Sequence, residues 1–157
     1  MKAVDHSLRG ARILVAEDDA ILALDVRQIL RDAGAEIIGP AATLKQTLFM
    51  ISAFPVSAAL LDVNLRDAEV FPAARALEEL GAGIVFYTGY ADVDSLRRAW
   101  PGAKVLTKPA PPRLLISAMW EVCFPIFGKD LPDMSAPVRS DLGTRSRHRE
   151  GCERRVS

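Results

Sequence analysis

Residues 12–34 read RILVAEDDAILALDVRQILRDAG. The stretch carries two periods. Arg12–Ala16 is a short apolar run of the kind that fills a buried strand. Beyond the acidic turn Glu17-Asp18-Asp19, the residues Leu22, Val26, Ile29 and Ala33 follow the spacing i, i+4, i+7, i+11 of one helix face. Gly34 stands where such a helix stops, because glycine accepts the left-handed backbone of a C-terminal cap without steric cost. A strand, a polar turn and a helix in direct succession make one βα unit.

The same alternation continues outward. The runs Glu36–Gly39, Ala58–Leu61, Ile84–Tyr87 and Lys104–Leu106 predict four more strands. Helical spacing recurs in Val70, Ala74 and Leu77, with Pro72 in the first turn, in Val93, Leu96 and Trp100, and in Leu115, Ala118 and Val122. Asp92 is the expected N-cap of the fourth helix, and Gly81 and Pro101 are expected stops. Strand and helix in turn, five times over, predict an α/β fold: a flavodoxin-like (βα)5 three-layer sandwich with a parallel sheet of order 2-1-3-4-5. In such sheets ligands sit outside the carboxyl ends of the strands, here near the switch point between strands one and three.

Composition narrows the function. The chain has 157 residues, 20 basic and 20 acidic, and is 50% hydrophobic. One domain is affordable, a strongly basic nucleic-acid binder is excluded, and so is a wholly disordered chain. Aromatics are 6%, so the core is expected to be aliphatic. No GxxxxGK occurs, which excludes a P-loop nucleotide enzyme. Cys123 and Cys152 form no CxxC and are expected to be free thiols in a reducing compartment. No run approaches the ~20 apolar residues of a membrane span, and residues 1–10 lack the apolar region of a signal peptide. The expectation is a cytoplasmic protein. Residues 1–10 read as a lead, 11–127 as the domain, and 128–157 as a disordered tail rich in Ser, Pro and Arg, with Arg145 to Arg155 solvated.

Polar groups follow four of the five strands: Glu17-Asp18-Asp19, Asp62-Val63-Asn64, Thr88, and Lys108-Pro109. Carboxylates converging on one rim repel one another, and a hard divalent cation relieves them. Mg²⁺ is the expected ion, with Asp18 and Asp62 as direct ligands, Glu17 acting through water and Asn64 through its backbone carbonyl. A carboxylate beside Mg²⁺ can attack phosphorus to give an aspartyl phosphate. The transferring group then needs positive charge and donors on its oxygens, which Lys108 and the Thr88 hydroxyl can supply. Singly these are common turn, cap and surface residues; the order, each after its own strand, carries the specificity.

ILVAEDDA (13–20), ALLDVNLRD (59–67), IVFYTGY (84–90) and VLTKP (105–109) together resemble the receiver domain of two-component response regulators. The resemblance covers about residues 10–125. It implies Asp62 as phosphoacceptor, Glu17 and Asp18 as the Mg²⁺-binding acidic pair, Thr88 as the switch hydroxyl, Lys108 as the family lysine, and a cis Lys108–Pro109 bond. Phe86-Tyr87-Thr88-Gly89-Tyr90 is similar to the single-domain alphaproteobacterial receivers known as the FAT GUY group, which lack an output domain and serve stress or phosphorelay signalling. The chain departs from the pattern at Val105, where an aromatic is usual, at Ala110, where Phe is usual, and at Leu65-Arg66-Asp67-Ala68, which lacks the usual Gly. Tyr90 is the expected substitute for the missing aromatic, and Arg66 and Asp67 are expected to alter phosphoryl access.

The resemblance implies a stand-alone receiver that takes a phosphoryl group from a histidine kinase or phosphotransfer protein and switches the binding of a downstream protein. It implies no enzyme beyond the chain's own Mg²⁺-dependent phosphorylation and dephosphorylation; the balanced charge and the lack of a long apolar run lead to the expectation of no nucleic-acid or membrane partner. Movement of Thr88 would pull the loop Gly89–Val93, with Arg97, Arg98 and Trp100 on the output face. Two alternatives stand beside it. One is an interaction module indifferent to phosphorylation, suggested by Val105 and Ala110. The other is a haloacid-dehalogenase-type phosphatase, suggested by Asp62-Val63-Asn64, although the second acid of its DxD is missing and the acidic pair precedes the nucleophile strand.

Overall fold

The computed structural model describes residues 6–89 and 93–124. The elements in chain order are β1 (Arg12–Ala16), α1 (Ala20–Asp32), β2 (Glu36–Ala41), α2 (Leu44–Ala53), β3 (Ala58–Leu61), α3 (Phe71–Glu79), β4 (Gly83–Thr88), α4 (Val93–Ala99), β5 (Lys104–Thr107) and α5 (Pro112–Cys123). The strands form one parallel sheet in the order β2-β1-β3-β4-β5. This is the expected (βα)5 sandwich. Tyr90, Asp92, Cys152, the expected tail and its arginine cluster lie outside the described residues.

Local chemistry explains the boundaries. The Asp19 carboxylate accepts the N–H groups of Ile21 and Leu22 at 2.9 and 3.0 Å and so caps α1. The helix ends at Gly34, whose φ of +104° only glycine adopts readily. Pro72 sits in the first turn of α3, where a missing N–H costs nothing. β2 differs from its expected span: it runs past Gly39 through Pro40 to Ala41. It is an edge strand with an irregular register between Leu14 and Ala16, and both features tolerate a residue without an N–H. Gly39 is required there, since a Cβ would lie 2.9 Å from the Val15 carbonyl oxygen. The Gly39–Pro40 and Lys108–Pro109 bonds are both cis, the second as the resemblance implies.

The sheet has an apolar cluster on each face. Leu14, Leu61, Phe86 and their neighbours pack under α2, α3 and α4. Ile13, Val15, Leu60, Val85 and Tyr87 pack under α1 and α5. The second cluster takes in Leu8, fully buried, whose N–H donates to the Ala33 carbonyl at 2.8 Å, so packing begins upstream of the expected boundary at residue 11. Trp100 corrects one expectation. It is 8% exposed, held between Phe71 and Phe86 at centroid distances of 6.3 and 5.6 Å, with Arg75 over its ring. A ring of that size is worth several kcal/mol in a core, so its first role is to pack the sheet. Arg97 and Arg98 are exposed, as expected of an outer face.

Candidate functional site

Each predicted group reaches the rim because its strand ends there. The sheet ladder sets them side by side. Glu17 follows β1 and donates its N–H to the Ala41 carbonyl at 2.9 Å. Asp62 follows β3 and donates to the Ala16 carbonyl at 2.8 Å. Lys108 follows β5 and donates to the Thr88 carbonyl at 2.7 Å, opposite the last pair of the β4–β5 ladder, Thr88 and Thr107. Residues 91 and 46 positions apart thereby meet: the Lys108 ammonium donates to Glu17 Oε2 at 2.7 Å and to Asp62 Oδ2 at 3.0 Å.

Glu17, Asp18 and Asp62 each offer a carboxylate oxygen within 4.8 Å of the others. Glu17 is 4% exposed and Asp62 8%, whereas Asp18 lies half-buried at the opening. Lys108 is the one cation paired with a carboxylate of this trio among the described residues, so the three carboxylates are not charge-balanced. Burial therefore pushes the Glu17 pKa up to about 7; the hydrogen bonds from Lys108 and the Asp19 N–H work against the rise, and the charge of Asp62 adds to it. Lys108 shifts the other way from what its setting first suggests. Burial alone would lower its pKa, but the bonds to Glu17 and Asp62 outweigh burial and the net change is a rise. An all-oxygen set with unbalanced negative charge fits a hard divalent cation.

Asn64 stands two residues beyond Asp62 and donates its N–H to Asp62 Oδ1 at 3.3 Å. Thr88 is the buried last residue of β4 and joins the group through its carbonyl bond to Lys108. The loop after β3 folds back on itself through an Asn64–Glu69 bridge. Within it Arg66 reaches the Asp18 carbonyl at 3.4 Å, beside the carboxylates. Asp67 turns away from them: its carboxylate accepts from Leu44 N–H, at 2.6 Å, and from Lys45 N–H, at 3.3 Å, at the start of α2.

Sequence reasoning missed Tyr87. Its hydroxyl accepts the Ala110 N–H at 3.1 Å, and its ring centroid lies 5.5 Å from the Lys108 ammonium. Spacing carries no signal for this. The only cue is a polar aromatic in a run that is otherwise wholly apolar.

Comparison with known proteins gives the arrangement its relatives. No family model matches the chain. The curated transcriptional regulatory protein PdtaR of Mycobacterium tuberculosis is 28% identical over 89 residues, 56% of this chain and 43% of that protein, so the match spans less than half of the relative's length. Among solved structures, a response regulator receiver domain protein (CheY-like) from Methanospirillum hungatei is 30% identical at a TM-score of 0.66, covering 75% of this chain and 97% of that one. A response regulator receiver protein from Sinorhizobium medicae is 26% identical at a TM-score of 0.67, covering 74% and 97%. The response regulator PhyR from Brucella abortus, 22% identical at a TM-score of 0.67 over 79% of this chain and 52% of that one, shares the fold.

Proposed function

The chain belongs to the response regulator receiver domains, and from that premise we propose that it takes a phosphoryl group on Asp62 and thereby switches the binding of a protein partner. The observation that carries this reading is the Lys108 ammonium shared between Glu17 and Asp62, with Asp18 within 4.8 Å of both. A histidine kinase or phosphotransfer protein presents phosphohistidine. An Asp62 carboxylate oxygen attacks phosphorus, the P–N bond breaks, and the imidazole nitrogen leaves with the bonding pair and takes a proton from solvent. Asp18 and Asp62 directly, Glu17 through water and Asn64 through its backbone carbonyl would hold a Mg²⁺ ion, which would supply positive charge to the transferring group. Lys108 and the Thr88 hydroxyl donate to the phosphoryl oxygens and hold the product.

Two exposed side chains support a docking partner beside this rim. Ile21 and Leu24, 83% and 57% exposed, open α1 directly after the acidic turn. We take these two side chains as the contact surface for the phosphohistidine protein. The placement among single-domain alphaproteobacterial receivers of the FAT GUY group rests on Phe86–Tyr90. A cytoplasmic setting rests on the expected free thiols; no helix among the described residues is long and apolar enough to cross a membrane. On this reading the chain turns over no external substrate beyond its own phosphoryl donor.

Labelling by acetyl phosphate or a kinase tests the reading. Asp62→Asn should fold and take no label. Label retained on that variant removes the assignment. Partner capture unchanged by beryllofluoride would favour an interaction module, and steady turnover of a phosphate ester would favour a phosphatase.

A further inference from the structure

Tyr87 has a chemistry that packing does not explain. It is 3% exposed and belongs to the cluster under α1 and α5, where Val85 on the same strand face fills space without a polar atom. A buried phenol needs a partner, and this one finds it beyond the end of the neighbouring strand, in the Ala110 N–H at 3.1 Å. The segment Lys108–Ala110 is thus tied to β4 at two points. The Lys108 N–H is bonded to the Thr88 carbonyl at 2.7 Å, and the Ala110 N–H to the Tyr87 hydroxyl. Between those ties the Lys108 side chain turns toward the carboxylates, with its ammonium 5.5 Å from the Tyr87 ring centroid, inside the range of a cation–π contact. That ammonium is 3.0 Å from Asp62 and 2.7 Å from Glu17. Ala110 offers no large side chain to hold the segment, so its amide is the handle.

We propose that Tyr87 is a positioning residue for phosphoryl transfer, acting through Lys108: its hydroxyl anchors the segment that carries the lysine, and its ring supports the ammonium between Glu17 and Asp62. The role rests on the receiver reading above. The polar contacts of Tyr87 run to the Ala110 N–H and the Lys108 ammonium; what it sets is where the lysine waits.

The experiment compares the wild type, Tyr87→Phe, Lys108→Ala and the double variant. Acetyl-phosphate labelling rates at saturating Mg²⁺ and Mg²⁺ affinities are measured for each. Tyr87→Phe keeps the ring and removes one hydrogen bond, so its labelling rate should fall about three- to tenfold, with Mg²⁺ affinity held within about twofold. In the Lys108→Ala background the same change should cost nothing further, because a residue that acts through another loses its effect when that other is gone. An equal loss in both backgrounds overturns the role and leaves Tyr87 structural. Amide exchange reads the anchor directly: Ala110 should exchange about tenfold faster in Tyr87→Phe while Val85 is unchanged, and unchanged Ala110 protection overturns the proposal whatever the labelling shows. A wild type that takes no label overturns the receiver reading and the transfer role with it. Label on the wild type with an unchanged Tyr87→Phe rate overturns the Tyr87 role alone.

Discussion

Glu17, Asp18 and Asp62, at the ends of β1 and β3, are held close against their mutual repulsion, whereas Thr88 and Lys108, at the ends of β4 and β5, are held by a carbonyl bond, a phenol and a ring face. The first half of the rim stores electrostatic tension. The second half stores position. A site that captures an anion needs both, because charge alone attracts a phosphoryl group without orienting it, and orientation alone leaves it repelled by the carboxylates. Lys108 is where the halves meet, bonded forward to the acids and anchored backward to β4.

The sharpest way to break this contrast is to remove an acid that has no other duty. Asp18 is half-buried, and its carboxylate makes no ion pair or hydrogen bond among the described residues, unlike Glu17 and Asp62. Asp18→Asn should leave the fold intact and weaken Mg²⁺ binding on the order of a hundredfold, since even supporting groups around a metal cost ten- to a hundredfold when lost. Titration followed by Trp100 fluorescence checks it. Equal affinity in the variant would mean that the acidic half does not hold the ion.

Glu17 gives the next effect, and its sign is specific. Its pKa is about 7 in the native state against 4.5 unfolded, raised chiefly by burial. Between those values the native state holds a proton that the unfolded state has lost, so stability declines as pH rises. Below pH 4.5 the contribution is fully present; above about 7 it is gone. Without metal, urea denaturation should show the wild type losing on the order of 1–3 kcal/mol over this window relative to Glu17→Gln, which has no proton to lose. Saturating Mg²⁺ should reverse the trend, because the ion favours the ionised carboxylates. A metal-free wild type that tracks Glu17→Gln across the window would show that the acids are already balanced.

The two halves were unequally legible. β1 and β3 read correctly to the residue, because an uninterrupted apolar run followed by acids marks its own end. The acidic half of the site follows from those ends. α2 was implied by the alternation but had no stripe of its own, since Leu48 and Phe49 are exposed while Thr47 and Ile51 are buried. Its signal is the Thr-x-x-Gln start Thr43-Leu44-Lys45-Gln46: the N-cap Thr43 side chain accepts from Gln46 N–H at 3.1 Å, and the Gln46 side chain reaches back one residue further, to the Ala42 N–H at 2.9 Å. The positioning half was hidden for a different reason. A phenol that reaches an amide 23 residues on leaves no trace in spacing or periodicity, and the burial of Trp100 depends on rings contributed by α3 and β4.

Asp67 yields the smallest effect and decides whether the loop after β3 belongs to the chemistry or to the scaffold. The sequence suggests that Asp67, so near Asp62, alters phosphoryl access. The structure instead gives its carboxylate to the first N–H groups of α2, Leu44 and Lys45, which have no partner within the helix. Those bonds, the one from Leu44 first, hold its pKa below the usual carboxylate value, and a negative charge there also suits the helix dipole. The contribution is present above the unfolded pKa and is lost as pH falls through the lower native value. Asp67→Asn keeps an acceptor oxygen but removes the charge, so it should lower the Tm slightly at neutral pH and not at all once the wild type is protonated. Its labelling rate should match the wild type. A changed rate at unchanged Tm would move Asp67 from the scaffold into the acidic half, and would make the loop a gate and not a brace.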